Sequence, residues 1–206
     1  DDYEKMKREG VVKIQIPEPI VSFKDQIRDP KNNPFPSLSG KIEIACGHLA
    51  EMQNPRIPDV PKYLGHKEHY DSTLAQKYPL QLLTTHSKIR IHSTMEQVPW
   101  LQELESQGVW INPKDAHKRG VKNNDTVEVF NDRGCIRISA NVTERIMPGV
   151  VNVCQGGWYQ PDENGVDVGG CANTLTDDTH SPGGAFALNS ALVEVRPANA
   201  PCREVV

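Results

Sequence analysis

Aromatic residues make up only 6% of this sequence and hydrophobic residues only 37%. With sixteen Pro and fifteen Gly, the composition excludes a helical bundle and points to a loop-rich, β-dominated chain. No apolar run approaches the length needed to cross a bilayer, so direct membrane insertion is not expected, and the first residues carry no signal-peptide pattern. An excess of positive charge is also missing. A net charge of -4 leaves no broad basic face for nucleic acid. The five cysteines, Cys46, Cys135, Cys154, Cys171 and Cys202, include no C-x-x-C pair, which removes the strong zinc and iron–sulfur signatures. Their odd number and irregular spacing do not make a disulfide framework, so small reduced thiols buried in strands are expected, as suits assembly in the cytoplasm. There is no H-E-x-x-H, G-x-S-x-G or Walker A motif, nor a G-x-G-x-x-G after a strand. The start, Asp1-Asp2-Tyr3, lacks Met and is expected of a piece of a longer chain.

What remains divides at about residue 75. Residues 1–75 are broken by Pro17, Pro19, Pro30, Pro34, Pro36, Pro55, Pro58 and Pro61, and read as an irregular arm with too few apolar residues for its own core. Ser39-Gly40 is a turn leading into a short strand through Ile44, and His48 to Met52 can make one helical turn. Residues 76–206 are more regular. Strands are expected at Tyr78–Thr84, Val109–Ile111, Asp125–Phe130, Cys135–Val142, Val150–Cys154 and Leu192–Val195, from alternation and β-branched content. Val98–Leu104 reads as a short amphipathic helix. Another starts at Asn112-Pro113-Lys114-Asp115, with Asn112 as cap and Gly120 as stop. Several short strands with small helices argue for a closed barrel.

Four segments stand out for chemistry. Thr84 to Thr94 holds two His, one Lys, one Arg, two Ser, three Thr and no carboxylate, which suits a polyanionic ligand. A polar loop following a core strand has the same composition, and this segment alone does not choose. Gln155-Gly156-Gly157-Trp158-Tyr159 offers paired glycines that let a backbone approach a ligand, with aromatics to stack. Gly169 to Thr176 carries Asn173, whose amide can read a heterocycle edge. Asn112 and Asp115 are most simply helix-capping residues. His86 and His92, or His66 and His69, match no metal-binding spacing.

The order of these segments is more specific than any one of them. Pro79-Leu80-Gln81-Leu82 leads into a donor loop ending in His92-Ser93-Thr94. Ile111-Asn112-Pro113-Lys114-Asp115-Ala116 follows, then Gly120-Val121 and Asn124-Asp125-Thr126-Val127-Glu128-Val129. Arg133-Gly134, Pro148-Gly149-Val150 and Asn173 to Thr176 complete the series, and Pro36 to Ile44 precedes it. In this succession the chain resembles, over nearly its whole length, the C-terminal domain of the molybdopterin-dependent dimethyl sulfoxide reductase family.

The resemblance implies a mainly β fold, a six-stranded double-psi β-barrel with short helices and an irregular N-terminal arm, closing over a molybdopterin guanine dinucleotide with molybdenum. By the resemblance, Thr84, His86, Arg90, His92, Ser93 and Thr94 hold pterin and phosphate groups, and Trp158 and Asn173 lie on the cofactor from the second side. Neither a catalytic residue nor a metal ligand is expected, because the family places its molybdenum ligand and iron–sulfur cluster in N-terminal regions. The chain is then the cofactor-binding part of an oxidoreductase that reduces S-oxides or N-oxides by oxygen-atom transfer in anaerobic respiration, inactive by itself. Implied partners are the N-terminal domains of the same catalytic subunit, an iron–sulfur electron-transfer subunit and a membrane-anchor subunit. These would attach the full-length enzyme to a membrane, and family members are often exported folded. The oxidised substrate stays open among sulfoxides, amine oxides, selenate and sulfur oxyanions. The alternative is a non-catalytic double-psi barrel for protein interaction, with the arm as docking segment. A small hydrolase using the histidines lacks a spaced motif.

Overall fold

Segments that alternate apolar and polar residues fold as strands because successive side chains point to opposite faces. The computed structural model describes residues 2–198. In it β1 (Leu80–Leu83), β2 (Gly108–Ile111), β3 (Thr126–Phe130), β4 (Cys135–Val142), β5 (Val150–Val153) and β6 (Leu192–Pro197) close into a barrel in the order β1-β5-β2-β4-β3-β6. Two neighbouring pairs are parallel, β1 with β5 and β2 with β4. The remaining neighbours are antiparallel. This is the six-stranded double-psi barrel that the sequence implied. The helices are short: α1 (Tyr3–Glu9), α2 (Lys24–Arg28), α3 (Gly47–Glu51), α4 (Pro99–Gln102) and α5 (Pro113–Lys118).

The barrel interior is aliphatic. Leu82, Val109, Ile111, Val127, Val129, Ile136, Val151, Val153 and Val193 are all fully buried, each contributing about 1.5–3 kcal/mol by leaving water. Closure pairs every strand on both sides and leaves no open sheet edge. Strand direction then sorts the connections. β1, β3 and β5 end where β2, β4 and β6 begin. Segments 84–107, 131–134 and 154–191 therefore lie at one end of the barrel, and 112–125 and 143–149 at the other.

Asn112 and Asp115 fall at the other end and serve structure. Asn112 Oδ1 accepts the Lys114 N–H (3.0 Å) at the start of α5, and its Nδ2 donates to the Ile146 carbonyl (2.7 Å). Asp115 accepts the Gly149 N–H (2.6 Å). Gly120 follows with φ +67°, the left-handed stop that the sequence signals.

Contacts divide the chain into residues 1–62 and 63–206, upstream of the change in composition at 75/76. Residues 67–78 fall on the barrel side for a physical reason. Lys67 pairs with Asp177 (2.5 Å), Glu68 with Arg133 (2.5 Å), and the Tyr78 hydroxyl donates to Asp132 (2.7 Å). Within 2–62 no residue is buried. The short strand expected through Ile44 is not formed: Ile42 and Ile44 are exposed and no strand pairs with them among the described residues. Helices α1 and α2 have no counterpart in the sequence reading, whereas α3 lies where one turn was expected. Helix α4 is shorter than Val98–Leu104; it buries Leu101 and leaves Trp100 exposed, as is the nearby Leu104. Among the described thiols Cys154 is buried and Cys46, Cys135 and Cys171 are half-buried, with no disulfide joining them; Cys202 lies outside the described residues.

Candidate functional site

The donor-rich loop leaves β1 under tight control. Thr84 donates its N–H to Asn189 Oδ1 (2.7 Å) and its hydroxyl to the Leu188 carbonyl (3.2 Å). Thr85 gives both its N–H (3.2 Å) and its hydroxyl (2.9 Å) to Oδ1 of Asn152, a buried amide on β5. Thr85 O in turn accepts the Gln155 N–H (3.0 Å), so the loops following β1 and β5 run side by side. Further on, Ile91 and Thr94 exchange backbone hydrogen bonds (3.3 and 3.0 Å) around His92, which has φ +53°. That turn sets the rings of His86 and His92 edge to face, 5.1 Å between centroids. His86, Lys88, His92, Ser93 and Thr94 are exposed. Among the described residues none of their side chains has a hydrogen-bond or ion-pair partner.

Arg90 does the opposite. It is 7% exposed and points into the protein, where Nη1 pairs with Glu96. Its Nη2 donates to Gln107 Oε1 (2.8 Å) and to the Gln155 carbonyl (3.2 Å). Glu96 compensates its charge. Thr84 and Arg90 thus give their donors to protein partners, apart from Arg90 Nε, which is buried without one among the described residues.

Glycines bring the second wall into place. Gly156, at φ +95°, lies so close to the His92 carbonyl that a Cβ would strike it; Gly157 meets the Gly170 carbonyl and Gly169 the Trp158 carbonyl in the same way. The expectation that the paired glycines open the backbone to a ligand is corrected here: they let neighbouring backbones pack on each other. Trp158 donates its indole N–H to the Ser93 carbonyl (3.0 Å) and keeps its ring 47% exposed. Asp167, fully buried, gathers the loop by accepting the N–H groups of Gln160 (2.8 Å), Gly169 (3.0 Å) and Cys171 (2.6 Å). Nearby, the Val166 N–H holds the Asp162 carboxyl below the usual carboxylate range, with Asn164 and Arg137 acting in the same direction.

The structure therefore brings His86, His92, Ser93, Thr94 and Trp158 to one surface, and turns Thr84 and Arg90 beneath it. Asn173 lies at the same end of the barrel, exposed, on the short turn Ala172–Thr174, and its amide makes no hydrogen bond among the described residues. Among the described residues no hydrogen bond joins it to the histidine pair. Sequence reading missed Gln107, Asn152, Asp167 and Asn189; Gln107, Asn152 and Asn189 each reach a segment distant in sequence, whereas Asp167 gathers its own loop. Only Asn152 carried a signal, as an amide inside the apolar run Val150-Val151-Asn152-Val153. Chemically, exposed donors without internal partners beside a free aromatic face suit an anionic ligand with a flat ring. Among the described residues, no group of three or more His, Cys, Asp or Glu is placed to hold a metal ion, and no helix is long and apolar enough to cross a membrane.

Residues 80–191 match the family model described as the molydopterin dinucleotide binding domain. The chain is 43% identical over 188 residues to dimethyl sulfoxide reductase DmsA of Escherichia coli K12, covering 87% of this chain and 23% of that protein. It is 32% identical over 205 residues to trimethylamine-N-oxide reductase 1 of the same organism, covering 94% of this chain and 24% of that protein. Among solved structures, acetylene hydratase from Pelobacter acetylenicus shares the fold, with a TM-score of 0.64 at 18% identity over 77% of this chain and 24% of that one. The chain spans about a quarter of the length of the curated relatives it matches.

Proposed function

The chain belongs to the molydopterin dinucleotide binding domain family, and on that premise we propose that it is the cofactor-holding C-terminal part of a molybdenum oxidoreductase that reduces S-oxides or N-oxides. The names of its relatives, a dimethyl sulfoxide reductase and a trimethylamine-N-oxide reductase, support both substrate classes.

The residues present fit a molybdopterin guanine dinucleotide. The exposed side chains of His86, Lys88, His92, Ser93 and Thr94 have no hydrogen-bond or ion-pair partner among the described residues, and the sequence from Thr84 to Thr94 holds no carboxylate. His86, His92, Ser93 and Thr94 would face the phosphates and pterin from the first wall. Trp158 and Asn173 would flank the heterocycle from the second, while Thr84 and Arg90 hold the first wall in shape. When bound, the cofactor supplies molybdenum for two-electron oxygen-atom transfer. This chain's residues would bind it and orient it. The observation that carries the reading is the Trp158–Ser93 bond, because it fixes an exposed aromatic ring beside the unpaired donors. An iron–sulfur subunit and a membrane-anchor subunit complete the proposed enzyme.

The test uses the full-length gene product. Purified enzyme should carry both molybdenum and guanine nucleotide, and H86A/H92A should lower both together. A full-length enzyme containing neither would sink the proposal.

A further inference from the structure

Gln107 precedes β2 at the loop-bearing end of the barrel and is not among the sequence-predicted site residues. Its amide spends its hydrogen bonds on three separate segments. Oε1 accepts from Arg90 Nη2 (2.8 Å), in the loop after β1. Nε2 donates to the Cys154 carbonyl (2.8 Å), where β5 ends, and to the Gly170 carbonyl (2.8 Å), three residues before Asn173. Gly170 adopts φ +78°, and a Cβ there would strike the Gln107 side chain, so the side chain packs directly against that backbone. Arg90 extends the same connection to the Gln155 carbonyl (3.2 Å) and to Glu96.

An amide at the end of two methylenes is suited to this position: it offers two donors and an acceptor at once. A carboxylate of equal length offers no donor and a thioether almost nothing.

We propose that Gln107, acting with Arg90, is a positioning residue that fixes the spacing between the donor loop and the segments carrying Trp158 and Asn173, so that the cofactor cleft is assembled before the cofactor arrives. This rests on the cofactor reading above. It also changes the role of Arg90. Its guanidinium, buried and compensated by Glu96, holds the wall and does not meet a phosphate.

The experiment uses the full-length holoenzyme. Gln107→Met keeps the length and removes all three bonds. It should speed release of the guanine dinucleotide at least about tenfold and raise amide hydrogen exchange in 84–94 and 154–171 together, with β3 and β4 unchanged. Adding Arg90→Gln should increase release by less than about twofold further, because both changes break one clamp. Raising the salt concentration should affect release from Arg90→Gln and from wild type in parallel, as expected where no phosphate contact is lost. Exchange that rises only near 105–108, effects that multiply, or a flattened salt dependence in Arg90→Gln would each overturn the proposal. Should the Met variant fail to fold, Gln107→Glu keeps the acceptor for Arg90. It should loosen 154–171 and leave 84–94 protected; loosening of neither segment overturns the clamp. A full-length enzyme without guanine dinucleotide would defeat the cofactor reading, and the exchange pattern would still decide the clamp.

Discussion

Arg133 grips both carboxylate oxygens of Glu68, at 2.5 and 2.8 Å, and Glu68 is buried to 1% exposure. The second oxygen also accepts the Leu192 N–H (3.1 Å) at the start of β6, and Arg133 Nε and Nη2 reach the Leu175 carbonyl (2.9 and 2.7 Å). The Glu68 hydrogen bond holds the Arg133 pKa above its ordinary value. One ion pair thus ties residue 68, the β3–β4 turn and the closing strand together.

Arg133→Met should therefore be strongly destabilising. It strands a buried carboxylate, and losing one partner of such a pair costs about 3–5 kcal/mol. Arg133 is itself partly exposed, so the lower part of that range is expected. Urea unfolding checks it; a loss below about 1 kcal/mol would mean that solvent reaches Glu68.

Asp167→Ala should leave the N–H groups of Gln160, Gly169 and Cys171 without their acceptor. Gln160 is exposed and Gly169 and Cys171 are half-buried, so solvent takes up part of the loss and about 1–3 kcal/mol in all is expected. Hydrogen exchange should locate the damage in 155–171. Uniform loosening of the barrel would contradict this.

Gly156→Ala and Gly120→Ala make a matched pair. Both glycines have positive φ, +95° and +67°, so each substitution costs about 1–2 kcal/mol of backbone strain. Only Gly156 also faces a backbone carbonyl, that of His92, while nothing stands near a Cβ at Gly120. G156A should displace the His92 turn and weaken cofactor retention at least about tenfold, and G120A should leave retention unchanged. Equal retention in the two variants would show that the close approach is unimportant.

Acid should loosen the Lys67–Asp177 pair. The Lys67 ammonium holds the Asp177 carboxyl well below its ordinary value of 3.8, with Thr179 contributing. A carboxyl depressed in the folded state stabilises the fold fully above its unfolded pKa and loses that contribution as pH falls below it toward the folded value. The stability difference between wild type and Asp177→Asn should thus be constant above about pH 5 and shrink steadily below about pH 4. A difference that widens in acid would reverse the assigned sign.

The barrel was legible because its signals are local. Alternation in Cys135–Val142 and the cap, proline and glycine around α5 depend on neighbouring residues, and each strand formed within a residue or two of its expected place. Ile42–Ile44 misled for the complementary reason: strand composition without a partner strand does not make a strand. The site was legible in its location and less so in its wiring. Arg90 reads as an anion donor until Glu96 and Gln107 are seen around it. Gln107 joins segments far apart in sequence, and nothing beside it announces it. The glycines at 156 and 157 were singled out correctly, but what they admit is backbone.

The strand order also has a consequence in time. β6 is the sixth strand in sequence, yet it closes the barrel between β1 and β3, and Asn189, just ahead of it, holds Thr84. A nascent chain that has emerged only as far as Trp158 carries the donor loop but lacks both Asn189 and the antiparallel partner of β1. The closing strand, sixth of the six in the chain, therefore sets when the donor loop is anchored at its start.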